Sequence, residues 1–337
     1  MNFLLGRRDI VIDLGTANTI VYLEPQGVVF NEPSCIAIER NYGTNKVVAL
    51  GMEAKNMRGK APKKLSVVYP LVSGAISDFE MTKIFMKTLI SGILGKLFFR
   101  PRVGVSIPQN LTPVERSSIH EATLLAGAKE VILIEDPFSA AVGAGIDISS
   151  SRGRMIVDIG SGLTEVSIVS LGGLVATNSS KIAGDALDTS IIEYVKHHKN
   201  LSISKDMAEE IKITLTNLEN PSPKECMIAK AKDLAHGGLP VSFEMSSQEL
   251  YEAIIPGVEK IKKTIAEAIA MTPPQLAPDI LEDGLVLTGG GALLRGLQGY
   301  LSKELQLEVK LSPTPLLDIS KGASDILKTM GNLPMHV

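Results

Sequence analysis

Cysteine is nearly missing from this sequence: Cys35 and Cys226 are the only two in 337 residues. With no signal peptide ahead of them, they exclude a disulfide-framed scaffold and predict two buried thiols in a reducing cytosol. Cysteine and histidine form no metal-ligand cluster, which argues against a zinc site. No apolar run approaches the roughly 18 residues that a membrane-spanning helix needs. The opening Met1-Asn2-Phe3-Leu4-Leu5-Gly6-Arg7-Arg8 is too short for a cleavable signal or an anchor helix. Net charge is small, −3, which argues against general nucleic-acid binding. Low-complexity tracts and short-period solenoid repeats are also absent. What remains is a globular composition, 45% hydrophobic and 21% charged. The length suits two domains, each with its own core.

One turn occurs twice. Ile10-Val11-Ile12-Asp13-Leu14-Gly15-Thr16-Ala17-Asn18-Thr19 matches Met155-Ile156-Val157-Asp158-Ile159-Gly160-Ser161-Gly162-Leu163-Thr164. Asp13 aligns with Asp158, Gly15 with Gly160 and Thr19 with Thr164. Each copy is a buried apolar strand that ends in an acid and a tight glycine turn. Gly15 lets the backbone approach a phosphate, and the amides of Gly15, Thr16, Ala17 and Asn18 can point at anionic oxygens. Gly160, Ser161 and Gly162 supply the same elements in the second copy. Asp13 and Asp158 are placed to hold magnesium through water, since magnesium keeps much of its hydration shell. A single copy reads equally well as an ordinary glycine hairpin; two aligned copies do not.

The residue pattern predicts an α/β chain. Strands are expected over 9–23 and 28–38, with a turn at Pro25-Gln26-Gly27, and again at 46–51, 102–107 and 129–134. Helices are expected after Asp78, after the capping signal Thr112-Pro113-Val114-Glu115, and from Pro137 through a run of small residues. The second half predicts strands at 154–159, 164–170 and 173–180, then a helix from Gly184-Asp185. Ser204 caps a helix through Glu209 and Lys212. Ser246 with Glu249 caps a long one, kinked at Pro256. Residues 272–284 read as loop. A buried strand at 285–288 runs into Gly289, Gly290, Gly291 and Ala292, a turn flat enough to lie against a purine or ribose. Glu209 and Lys212 are three apart and share a helical face, the usual spacing of a surface ion pair. His197 and His198 sit on a surface helix with no assigned role.

These motifs resemble the actin, Hsp70 and sugar-kinase superfamily, and within it the MreB family of bacterial actins. Asp13-Leu-Gly-Thr-Ala-Asn18, Asn31-Glu-Pro-Ser34, Asp136-Pro-Phe-Ser-Ala-Ala-Val-Gly-Ala-Gly145, Gly184-Asp-Ala-Leu-Asp188 and Leu287-Thr-Gly-Gly-Gly-Ala-Leu-Leu-Arg-Gly296 occur in family order. The resemblance spans residues 9–330. It implies an actin-like fold: two related α/β domains, each with a mixed five-stranded sheet and a smaller subdomain, flanking a central nucleotide cleft. The expected domains are residues 1–150 and 151–337, with the last helix packing back on the first. A nucleoside-binding subdomain is expected at about 185–250 and an adenosine turn at 288–292. The ligand implied is ATP or ADP with Mg2+. Gly184, Glu209, Lys212 and the glycine turn through Ala292 are expected to bind it.

Two positions depart from the family. A glutamate usually precedes the proline of the 137–145 helix and polarises the attacking water, and a threonine usually follows the second glycine turn and positions that water. Here these positions are Asp136 and Leu163, so hydrolysis should be slow or lost. Glu135 is adjacent but points elsewhere. Lys96-Leu97-Phe98-Phe99-Arg100 resembles the family's membrane-inserting loop, near 96–102, and Phe3-Leu4-Leu5 before Arg7 and Arg8 forms a second patch of that kind. The resemblance implies self-assembly into paired protofilaments at the inner face of the cell membrane. It implies a cytoplasmic, peripheral protein acting with paralogous filament proteins and the wall-synthesis machinery, or serving motility in a wall-less cell. The alternative is a hydrolysis-deficient accessory subunit that co-assembles with an active paralogue. A small-molecule kinase lacks a candidate substrate acid, and an Hsp70-like chaperone would need a further domain after Val337.

Overall fold

The structure is a computed structural model that describes residues 9–41, 44–60, 62, 64–72, 74–94 and 100–332. Both predicted membrane patches, Phe3-Leu4-Leu5 and Leu97-Phe98-Phe99, lie outside the described residues. The chain divides into two compact units. The first comprises Met1–Ile146 with Leu317–Val337, and the second Asp147–Leu316.

The first unit runs β1 (Asp9–Leu14), β2 (Asn18–Leu23), β3 (Gly27–Pro33), β4 (Ile36–Asn41), β5 (Thr44–Leu50), α1 (Gly51–Met57), β6 (Leu65–Val68), β7 (Leu71–Val72), β8 (Ala75–Ile76), α2 (Phe79–Leu94), β9 (Arg102–Ile107), α3 (Pro113–Leu125), β10 (Glu130–Glu135) and α4 (Asp136–Gly143). The second runs α5 (Gly184–Lys199) after β11 (Arg154–Ile159), β12 (Thr164–Ser170) and β13 (Gly173–Ser180). It continues through β14 (Leu201–Ser202), α6 (Lys205–Leu215), β15 (Cys226–Asp233), β16 (Pro240–Ser246), α7 (Ser247–Ala270), α8 (Ala277–Asp283), β17 (Leu285–Thr288), a 3-10 turn (Gly290–Leu293), α9 (Leu297–Leu305) and β18 (Val309–Leu311). The last helix, α10 (Asp318–Asn332), belongs to the first unit.

The internal repeat extends from the turns to the whole sheet. The first unit has a five-stranded sheet of order β10-β9-β1-β2-β3, and the second one of order β13-β12-β11-β17-β18. In both, the acid-ending strand lies in the centre. It pairs antiparallel with the strand after the turn and parallel with a later strand. A centre strand must bury both faces, which is why Ile10, Val11 and Ile12 are consecutive and buried. Ile10 and Ile12 pack with Phe85 and Leu89 of α2 and Ile119 of α3. Val11 faces the other way, onto Ala323 and Leu327 of α10. In the second unit Met155, Val157 and Ile159 pack with Leu187 and Ile191 of α5 and Val258 and Ile261 of α7. Smaller sheets, β5-β4-β6 and β14-β15-β16, complete the two units.

Capping chemistry sets the helix starts. Thr112 with Glu115 and Ser246 with Glu249 form reciprocal capping boxes at α3 and α7. Two expectations need correction. Residues 272–284 are not all loop, because α8 forms over 277–283 with Pro278 in its first turn and Ile280 buried. Its acids are tied to the start of β11: Arg152 bonds Asp283 and Glu282, and Asp279 accepts the Gly153 amide. Of the two free cysteines, only Cys35 is buried; Cys226 is exposed, on an outward position of β15.

Helices α4 and α10 meet backbone to backbone at two glycines. A Cβ on Gly143 would lie 1.9 Å from the Asp318 carbonyl oxygen, and one on Gly322 1.8 Å from that of Ser139. Both would meet rigid backbone. Replacing Gly322 by Val should therefore separate the helices and destabilise the first unit by about 3 kcal/mol. Urea unfolding of the variant beside the wild type measures this; an unchanged midpoint would refute the close-packing account.

Candidate functional site

The first glycine turn is built by its own closure. A Cβ on Gly15 would fall 2.6 Å from the Asn18 carbonyl oxygen, so only glycine fits. Around it, hydroxyls fix the loop. Ser34 donates to the Gly15 carbonyl at 2.6 Å and lies 2.8 Å from the Thr19 hydroxyl. The Ser34 amide donates to the Ala17 carbonyl. Thr16 Oγ1 accepts the Gly74 amide at 2.8 Å, which ties the β7–β8 hairpin to the turn. Ala17 and Asn18 are exposed. Asp13 ends the strand opposite Ser106 of β9, whose hydroxyl lies 3.4 Å from the carboxylate. Burial raises the Asp13 carboxyl from the ordinary 3.8 to about 7, partly offset by the Ser106 hydrogen bond.

The second turn is held differently. The Gly160 amide donates to the Leu163 carbonyl at 2.9 Å. Two amides at the start of α5 then cap the turn from outside: Gly184 donates to the Gly160 carbonyl and Asp185 to that of Ser161. A Cβ on Gly184 would meet Ser161 Cα and Lys212 Nζ, each at 3.3 Å. The Ser161 hydroxyl is buried and has no hydrogen-bond partner among the described residues. Lys212 is buried in turn. Its ammonium donates to the Gly184 carbonyl at 3.0 Å and pairs with Asp188 at 2.7 Å. Desolvation raises the Asp188 carboxyl, against the opposing pull of Lys212. Glu209 lies one turn earlier on α6 and is half-buried.

The Gly289, Gly290 and Gly291 segment packs on the same strand end. A Cβ on Gly289 would sit 2.2 Å from an Asp158 carboxylate oxygen, and one on Gly291 2.3 Å from the Ile159 side chain. The segment leads into a 3-10 turn closed by the Ala292 amide on the Gly289 carbonyl, with α9 starting only at Leu297. The second unit thus brings together Asp158, Gly160, Ser161, Gly162, Gly184, Lys212, Gly289, Gly291 and Ala292. The first unit brings together Asp13, Gly15 and Thr16. Leu163 is buried, and its role in turn closure uses only its backbone. Asp136 opens α4 with one carboxylate oxygen buried. Its neighbour Glu135 is engaged by Arg116 of α3 at 2.8 Å.

Sequence reasoning gave no role to Ser34, Ser106, Asp188 or Arg116. Only Lys212 carried a readable signal: it shares the buried face of α6 with Ala208, Ile211 and Leu215. A lysine on an apolar stripe demands a buried partner.

The raised Asp13 carboxyl has a thermodynamic consequence. Between about pH 4 and pH 7 the native state holds a proton that the unfolded chain has released, so nucleotide-free stability falls as pH rises, by up to ~1.4 kcal/mol per pH unit. Replacing Asp13 by Asn should flatten that fall in urea titrations between pH 4 and 8 without magnesium. A slope identical to the wild type would show that Asp13 is not its source.

Comparison with known proteins gives this geometry a family. The family described as "MreB/Mbl protein" matches residues 7–334. The cell shape-determining protein Mbl of Bacillus subtilis (strain 168) is 39% identical over 328 residues, covering 97% of this chain and 98% of Mbl. The cell shape-determining protein MreB of Escherichia coli (strain K12) is 40% identical, covering 97% and 94%. Among solved structures, MreB 5 of Spiroplasma citri bound to AMPPNP superimposes with a TM-score of 0.89 at 33% identity, covering 97% of this chain and 98% of that one. On these matches, and on two five-stranded sheets that each end their centre strand in an Asp-x-Gly turn, the chain belongs to the MreB/Mbl family of actin-like, cell shape-determining proteins.

Proposed function

We propose that this chain is an ATP-binding cytoskeletal protomer that assembles into actin-like filaments on the inner face of the cell membrane and supports cell shape, or motility in a wall-less cell. The observation that carries the nucleotide reading is the buried, unpartnered Ser161 hydroxyl in a glycine turn. It suits a phosphate oxygen, and an unsatisfied buried hydroxyl is otherwise costly. MreB 5 of S. citri, a relative by sequence and fold, is bound to the triphosphate analogue AMPPNP. The amides of Gly15, Thr16, Ala17 and Asn18 would meet phosphate oxygens. Glu209, Lys212 and the Gly289 turn would line the nucleoside. No group of three or more metal-ligating side chains occurs among the described residues. In each unit the acid at the end of the centre strand, Asp13 or Asp158, is of the kind that would hold magnesium through water. The ion would neutralise phosphate charge.

Hydrolysis is the weak point. Asp136 is one methylene shorter than glutamate, Leu163 offers no hydrogen bond, and Glu135 is committed to Arg116. Phosphoryl transfer relies on positioning and electrostatics, so these losses should leave ATP bound and turnover slow. Head-to-tail contacts between unlike surfaces do not close and therefore propagate into filaments. Many weak apolar patches on one filament would add up to firm membrane attachment. The Asp136 and Leu163 departures also favour a second reading, an accessory subunit that assembles only with an active paralogue.

Joint replacement of Asp136 by Glu and Leu163 by Thr should raise phosphate release by at least about tenfold. The Leu163 change keeps the backbone carbonyl that closes the turn. Wild-type turnover equal to that of a relative carrying both usual residues would overturn the slow-hydrolysis reading. Electron microscopy with ATP separates a self-assembling protomer from an accessory subunit. Replacing Leu97, Phe98 and Phe99 together by Ser should reduce co-sedimentation with anionic liposomes. Undiminished binding would remove that loop as the anchor.

A further inference from the structure

We infer that the buried Lys212–Asp188 ion pair is a positioning device for the second phosphate turn, so that α6 sets the geometry at Ser161 through the first turn of α5. This rests on the nucleotide-binding reading and concerns how that site is held. The connection is continuous. Lys212 Nζ donates to the Gly184 carbonyl at 3.0 Å, the Gly184 amide donates to the Gly160 carbonyl at 3.2 Å, and the Asp185 amide to the Ser161 carbonyl at 2.7 Å. Asp188, one helical turn on, holds the ammonium at 2.7 Å. A second tie runs in parallel, from Lys205 at the start of α6 to Asp185 at 2.9 Å.

Three features show a built element. Lys212 and Asp188 are both buried, at 9% and 2% exposure, and the ammonium has a further partner in the Gly184 carbonyl, as a buried ion pair requires. Gly184 has no side chain, which lets the lysine and the turn approach it from two sides. The amides that would ordinarily be free at a helix N-terminus are spent on the turn's carbonyls. The start of α5 therefore acts as a rigid spacer. Lys212 fixes it on one side, and the turn bearing the unpartnered Ser161 hydroxyl rests on the other. Moving α6, as a bound nucleoside at Glu209 would do, moves the turn that meets the phosphates.

The test separates positioning from simple charge attraction. Asp188→Asn removes a negative charge near a polyanion, so charge alone predicts tighter ATP binding. Positioning predicts weaker binding. Titrating the full-length protein with ATP–magnesium and with adenosine, we expect Asp188→Asn to weaken ATP about tenfold while adenosine stays within about twofold. Lys212→Met should weaken ATP at least as much. Amide exchange at Gly184 and Asp185 should accelerate in both nucleotide-free variants, a readout that reports the spacer directly even if one variant is poorly stable. Unchanged or tighter ATP binding in Asp188→Asn, or equal losses for ATP and adenosine, would overturn the inference. Failure of the wild type to bind ATP would instead overturn the nucleotide-binding reading.

Discussion

In each unit the centre strand has to reverse within four residues while keeping its carboxylate and its amides at the surface of the turn. Only glycine permits this at position 15, where a Cβ would strike the Asn18 carbonyl. In the second unit the Gly160 amide closes onto the Leu163 carbonyl. Sheet order, strand burial and helix placement all follow from putting that reversal at the middle of a five-stranded sheet. Central strands are buried on both faces and rigid, which fixes the acid at the strand end. The repeat is therefore one of mechanics before it is one of sequence.

The two turns have diverged in how they are braced. In the first unit hydroxyls do the work: Ser34 holds the Gly15 carbonyl and Thr16 holds the hairpin at Gly74. Thr16 Oγ1 is thereby occupied as an acceptor, while its O–H stays available as a donor beside the backbone amides. In the second unit a helix start braces the turn, and the Ser161 hydroxyl is left unpartnered. A Cβ at Gly289 would press on the Asp158 carboxylate, so that glycine turn packs directly on the acid.

Much of this was legible from residue order. The strands at 154–159, 164–170 and 173–180 coincide with β11, β12 and β13. Both capping boxes read directly as helix starts, because their chemistry is local. What escaped depended on partners far along the chain. Helix α8 lacks a capping side chain, and ion pairs reaching Arg152 across more than a hundred residues hold it. Strands β15 and β16 alternate exposed and buried residues in a polar stretch, and pairing rather than composition reveals them. Ser106 became relevant only through the register that sets it opposite Asp13. Lys212 was legible as a site residue on the apolar face of α6, yet its bond to Asp188 lies in the fold.

The unfavourable electrostatics of this chain are concentrated at its turns. Asp13 is buried enough to lift its carboxyl to about 7, Asp188 is buried beside Lys212, and the Ser161 hydroxyl lacks a partner. Each costs stability that an apolar substitute would not. A fold selected for stability alone would not retain all three within reach of glycine turns. A hydrated cation beside Asp13 would favour its ionised form, and a phosphate oxygen at Ser161 would satisfy its hydroxyl. The buried pair is tied to the turn through the Gly184 carbonyl, which is the physical reason to assign it to holding the turn in place. Local cost at these positions marks where structure has been traded for binding.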